Sequence, residues 1–224
     1  METQPDPPPL LLASASPRRA ELLRQAGVRF SVRSCLFREP SSKPPTTSPS
    51  AWAEALAHFK ARAVAERNSG QWVLGADTVV VCGGRLLGKP RDADEAREML
   101  QLQAGRACEV ITGVCLLRVA DVSSRFLGHE LTRVWMRDAP TEIEAYLAGG
   151  EWRGKAGAYG IQDVGDRLVE RVQGSFSNVV GLPIERVTRL LAAVGLLSPS
   201  GSGPPRPAAA AGGGRKRTAA GSGD

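Results

Sequence analysis

From Leu10 to about Leu197, short apolar runs alternate with longer segments whose apolar residues recur at helical spacing. That alternation restricts the chain to the α/β class with a mixed sheet. Leu10 to Ala13 reads as a buried strand, a polar SAS loop follows, and Pro17 sits where a helix accepts proline in its first turn, before RRAELLRQA closes on Gly27. Phe30 to Val32 is a second short strand, and SCLFREPSSKPPTTSPS behind it is a long loop rich in turn formers. Between Ser50 and Arg67, Trp52, Leu56, Phe59 and Ala63 fall near one helix face. WVLGAD and TVVVCGGRLLGKP predict a buried strand, a turn, and a hairpin through Gly83 and Gly84. Asp92 caps a helix running to about Leu102, and ACEVITGVCLLRV and HELTRVWMR are strands of a partly buried sheet. Thr141 with Glu144 predicts a capping box for a helix to Leu147, and Pro183 opens a last helix to Leu197.

Outside this patterned body the composition changes. Residues 1–9 form a proline-rich leader and 198–224 a Gly/Ala/Pro-rich basic tail; neither carries enough apolar residues to fold, so both are expected to be disordered and 10–197 to be one domain. The formal charge of +6 divides unevenly, because Arg206, Arg215, Lys216 and Arg217 face only Asp224 in the tail and supply half of it. The Arg-Lys-Arg run fits a nuclear-localisation patch or a plain solvated tail. A mildly basic body suits an anionic small molecule, and aromatic residues at 5% leave little for base stacking, which argues against a nucleic-acid partner. Four cysteines without a CxxC pair, beside two histidines, predict reduced thiols rather than a zinc site or a disulfide framework. METQPDPPP lacks the basic start of a signal peptide and Leu10–Ala13 is too short to span a membrane, so no membrane association and a cytoplasmic location are expected.

Four polar constellations fall at the ends of these elements, where α/β proteins hold ligands. Ser14, Ser16, Arg18 and Arg19 in SASPRR can cradle a phosphate at a helix N-terminus, or Ser16 can simply cap the helix. Asp77 and Thr78 between two apolar runs can hold a divalent cation or deprotonate a water; a turn aspartate would look the same. Lys89 in LLGKP can neutralise phosphate or stand in solvent. In KAGAYGIQ, Lys155 and the Gln162 amide sit among glycines that permit close backbone approach to a ligand, or that merely mark a glycine-rich strand edge.

SASPRR, GADTVV, GKP, TGV, KAGAYGIQ and SNVVGLP, in this order, resemble the signature blocks of the Maf family over nearly the whole body. The resemblance implies a Maf-like, inosine triphosphate pyrophosphatase-like mixed sheet with flanking helices and a central cleft between two lobes. It also implies hydrolysis of a nucleoside triphosphate to monophosphate and pyrophosphate with a divalent metal cation, Mg or Mn. Carried onto this chain, the catalytic aspartate is Asp77, Glu39 in FREP joins it as metal ligand, and Arg18, Lys60 and Lys89 contact substrate. Thr78 and Gln162, with Arg18, bear on base choice. GAYGIQ resembles the branch acting on dTTP and UTP rather than the one acting on 7-methyl-GTP. Gly154 departs from the family pattern, standing where many relatives carry an aspartate, and Asp163 where many carry glycine. If that acid helps to bind metal, the chain would instead be a catalytically weak nucleotide-binding regulatory module. A homodimer is left open.

Overall fold

The first strand of the chain becomes an inner strand of one mixed sheet. In the computed structural model, which describes residues 9–34, 40, 43–120, 124–162 and 167–197, β1 (Leu10–Leu12) pairs in parallel with β2 (Phe30–Val32) on one side and β3 (Trp72–Cys82) on the other. Parallel neighbours need crossover connections, and α1 (Pro17–Gln25) and α2 (Pro49–Ala65) supply them. Beyond β3 the sheet becomes antiparallel. β4 (Arg85–Leu87) folds back on the end of β3, and β5 (Ala107–Arg118), β6 (Ser124–Met136) and β7 (Val169–Gln173) extend the order to β2-β1-β3-β5-β6-β7. α3 (Ala93–Gln103), α4 (Pro140–Gly149), α5 (Phe176–Val180) and α6 (Ile184–Ala193) complete the flanking layers.

α2 lies directly on the sheet. Its buried face is Ala53, Leu56, Ala57, Lys60, Ala61, Val64 and Ala65, while Phe59, expected on the packed side, is 43% exposed. The reason lies on the facing strands. A Cβ at Gly75 would collide with the carbonyl oxygen of Ala57, and one at Gly113 with the backbone of Ala53. Glycine on the sheet opposite alanine on the helix removes the usual side-chain layer, and helix-to-sheet spacing is set by what stands at the contact.

Two cores divide one face of β3 between them. Leu74 and Ala76 pack with β1, α1 and α6 (Leu10, Leu23, Leu191), whereas Val80 and Cys82 pack with α3, α4 and the chain after α4 (Leu100, Tyr146, Tyr159). Thr78 falls between these two cores, with Asp77 beside it on the opposite face, so the division into two lobes places its boundary at those residues.

Several local expectations fail for identifiable reasons. No turn interrupts GADTVV: β3 runs through it, since Gly75 serves the approach of α2 and not a reversal. α4 begins at Pro140 with no side-chain cap, and Glu144 accepts two hydrogen bonds of 3.0 Å from Arg97 instead of closing a capping box with Thr141. KAGAYGIQ contains a 3-10 turn (Ala156–Ala158) and no strand, because Gly157 takes φ +68°. β7 and α5 carry too few residues for a periodic signal, and the last helix ends at Ala193. Cys82 and Cys108 form a disulfide, a correction to four reduced thiols. Antiparallel pairing of Val81 with Glu109 brings these two cysteines opposite one another, a register that a separation of 26 residues does not advertise. Cys115 is free and buried. Residues 1–8 of the leader, the tail and Asp163 lie outside the described residues.

Candidate active site

The SASPRR turn delivers its groups in two directions. Ser16 occupies the N-cap position of α1 but makes no side-chain capping bond, and it lines a cavity at the helix start. Ser14 is buried beneath it, its Oγ accepting from the Ser16 amide at 3.2 Å and from Arg19 Nη1 at 3.1 Å. Arg19 also donates to the Gly181 carbonyl (2.8 Å) and to Thr78 Oγ1 (3.1 Å). Its guanidinium fork is therefore largely spent on joining β1, β3 and the turn after α5. Arg18 faces the cavity with one long contact, Nη2 to the Gly154 carbonyl at 3.5 Å. Burial pulls its guanidinium below the usual range, with the Tyr146 phenol opposing that shift. A half-buried guanidinium that still holds its charge gains by meeting an anion.

Successive side chains on a strand point to opposite faces. Asp77 accordingly turns toward α2, where Lys60 Nζ donates to Oδ1 at 2.5 Å, both residues being nine-tenths buried. The close approach of α2 over Gly75 is what lets a lysine rooted in a packed helix reach a strand carboxylate. Lys60 lies behind Asp77 and is not part of the cavity wall. Thr78 turns the other way, toward Arg19 and Thr112, whose hydroxyl lies 2.9 Å from its own.

The cavity, about 80 Å³, is lined by Ser16, Arg18, Arg19, Asp77, Thr78, Lys89, Lys155 and Gln162, with Gly154 and Gly160 contributing backbone. A second depression of about 570 Å³, bordered by Lys43, Trp52 and Leu86, shares Asp77, Thr78 and Lys89 with it. The carboxylate thus stands where two cavities meet. Residues separated by more than a hundred positions converge here because β3 carries Asp77 between the lobes while α1 and the loop after α4 close on it from either side. Eight of the eleven residues singled out from the sequence are brought to one wall by this convergence; Ser14 and Lys60 support it from behind. Glu39 lies outside the described residues.

The residues that sequence reasoning missed form the support. Thr112 donates to the Asn178 carbonyl at 3.2 Å, and the fully buried Asn178 amide donates to the Val110 carbonyl and to Thr132 Oγ1, each at 3.0 Å. This network joins SNVVGLP to the central strands and presents the Gly181 carbonyl to Arg19. Its signal was the SNVVGLP block itself, which carries no titratable group. Tyr146 of α4 likewise contacts Lys155 and Gly160 from outside the cavity wall.

Asp77 is the only acid on the cavity wall among the described residues, and no cluster of three or more His, Cys, Asp or Glu side chains gathers elsewhere among them. With Oδ1 held by Lys60, Oδ2 makes no hydrogen bond within that set. One carboxylate oxygen beside anion-binding groups fits a hard cation that takes its remaining ligands from water and substrate phosphates.

A family model described as "Maf-like protein" matches residues 9–194. The dTTP/UTP pyrophosphatase of Syntrophomonas wolfei is 44% identical over 185 residues, 82% of this chain and 96% of that protein. The dTTP/UTP pyrophosphatase of Moorella thermoacetica is 46% identical over 188 residues, 84% of this chain and 95% of that protein. Among solved structures, a nucleoside-triphosphatase / dITP/XTP pyrophosphatase from Mycobacterium abscessus superposes with a TM-score of 0.41 at 16% identity, covering 84% of this chain and 94% of that one.

Proposed function

The chain belongs to the Maf family, and from that premise we propose that it is a nucleoside triphosphate pyrophosphatase hydrolysing dTTP and UTP to the monophosphate and pyrophosphate. The observation that carries the reading is Asp77, buried at the junction of two cavities, held by Lys60 at 2.5 Å and sharing a cavity wall with Arg18, Lys89 and Lys155.

In the reaction a water oxygen bonds to the α-phosphorus and the α–β bridging P–O bond breaks, its electron pair leaving on pyrophosphate. The water proton passes to Asp77, whose Oδ2 is the oxygen not engaged by Lys60. Lys60 thereby keeps the acceptor oriented. Arg18, Lys89 and Lys155, with the Ser16 hydroxyl at the start of α1, offset the charge that develops on the phosphates. A divalent cation, Mg or Mn, would be held by Asp77 and Glu39 and supplies charge neutralisation on the phosphate oxygens when bound. Arg19 fixes Thr78 and Ser14 in place. Gln162 offers a donor to O4 and an acceptor to N3–H of uracil or thymine, a pattern cytosine reverses.

Within the family we set the chain beside the Maf-like domain of acetylserotonin O-methyltransferase-like proteins, on the wording of its signature blocks. No helix among the described residues is long and apolar enough to cross a membrane, and we place the protein in the cytoplasm with the nucleotide pool it would act on. Pyrophosphate release measured over a panel of nucleoside triphosphates, with Mg and with Mn, tests the assignment. Release fastest with UTP and dTTP is the expected result. Metal-dependent triphosphate binding without release would make the protein the regulatory module that Gly154, in place of an acid, otherwise suggests.

A further inference from the structure

Tyr146 on α4 is 2% exposed and is not part of the cavity wall, yet its hydroxyl oxygen meets two pieces of that wall. Lys155 Nζ donates to it at 3.1 Å and the Gly160 amide at 3.2 Å, while Nζ also lies 5.5 Å from the centre of the ring. Both donors line the cavity, and Gly160 precedes Gln162 by two residues. The two are locked to each other as well: a Cβ on Gly160 would press on Cδ, Cε and Nζ of Lys155 at 3.1 Å each. A rival for the ammonium stands on the outer side, since Glu151 Oε2 is 3.9 Å from Nζ, beyond hydrogen-bond reach but within range of attraction. Glu151 is not part of the cavity wall.

We propose that Tyr146 is a positioning residue: its hydroxyl oxygen draws Lys155 and Gly160 together, holding the Lys155 ammonium toward the triphosphate and away from Glu151, and setting the approach of Gln162 to the base. Burial pushes the Tyr146 phenol up to about 12, so the oxygen stays neutral across the working range and keeps a lone pair for each donor. The ring alone cannot do this. A phenyl group would preserve the packing and the ammonium–ring contact but would remove the oxygen that holds Nζ against the pull of Glu151.

The proposal rests on the cavity being a nucleotide site, and the experiment separates the two. Tyr146→Phe, Glu151→Gln and the double variant are compared by Kd for a UTP analogue with a methylene bridge between the α- and β-phosphorus, and by kcat and KM for UTP. Tyr146→Phe is expected to weaken binding and raise KM by about tenfold, the scale of a lost hydrogen bond to a charged group, with kcat changed by less than about twofold. Glu151→Gln alone should leave all three near the parent. Added to Tyr146→Phe, it should recover most of the loss, because it removes the competitor; a general weakening of the fold would not respond to it. Parent-like Kd in Tyr146→Phe, or a defect that Glu151→Gln does not relieve, overturns the proposal. If Tyr146→Phe does not fold, hydrogen exchange of the Gly160 amide in the unmodified protein decides: slow exchange supports the contact and exchange at the free-peptide rate overturns it. A parent that binds the analogue but releases no pyrophosphate from UTP would sink the enzymatic reading while leaving this one standing.

Discussion

Gly75→Ala tests whether the position of α2 governs the Lys60–Asp77 pair. The added methyl would meet the Ala57 carbonyl oxygen inside any permissible contact distance, with the Ala61 amide at 2.8 Å and the Ala61 Cβ at 2.9 Å. Two of these atoms are backbone, so no rotamer change relieves the clash and the helix itself must move by roughly 1 Å. Overpacking of this kind costs about 1–3 kcal/mol, which for a domain of this size lowers Tm by about 2–12 °C. The functional effect should be larger. Lys60 lies less than one turn beyond Ala57, and its 2.5 Å contact with Asp77 cannot survive an outward shift of that size. A misplacement near 1 Å is enough for about a hundredfold loss of rate. Thermal unfolding, and kcat/KM for UTP measured well below Tm, read the two effects separately. Gly113→Ala serves as a comparison, since it would push on Ala53, about two turns before Lys60, and should lose stability with a smaller loss of activity. Parent-like activity in Gly75→Ala, with Tm lowered as expected, would refute the link between α2 and the carboxylate; an unchanged Tm would refute the close packing as well.

Asp77→Asn should leave a folded protein with turnover reduced by roughly a hundredfold or more, assayed by pyrophosphate release; near-parent turnover would move the proton-accepting role elsewhere. Arg19→Lys keeps the charge but cannot reach the Gly181 carbonyl, Ser14 and Thr78 together, so a loss of about 1–3 kcal/mol in unfolding free energy is expected, and denaturant unfolding with no change would show that the fork is dispensable. Gln162→Glu should lower kcat/KM for UTP and dTTP by about five- to hundredfold and for CTP by less; an equal fall for all three would mean that Gln162 does not read the base. Removing residues 198–224 should leave pyrophosphate release nearly unchanged, because the family-matched region ends at residue 194, and a loss of activity would contradict that expectation.

The sequence by itself determined the elements whose start or end carries a local signal. β1, α1, β2 and the capped start of α3 at Asp92 are local events, decided by apolar runs, a first-turn proline and a side chain that accepts from the Glu95 amide at 2.8 Å. The polar blocks were legible for the same reason: a titratable group set between apolar runs announces itself. What the tertiary structure decided is everything that depends on approach between distant segments. Phe59 reads as a core residue by spacing and is exposed, whereas Lys60, which the family resemblance implies contacts substrate, is buried against Asp77. Both outcomes come from Gly75 and Gly113, whose missing side chains draw α2 onto the sheet. Arg18 and Arg19 are adjacent, chemically identical and both on the cavity wall, yet one makes a single long contact and the other donates to acceptors on the loop after β1, on β3 and on the turn after α5. Hydrogen-bond acceptors on backbone carbonyls, and the space left by an absent Cβ, carry no residue-type signature; they exist only once the sheet register and the helix positions have been set.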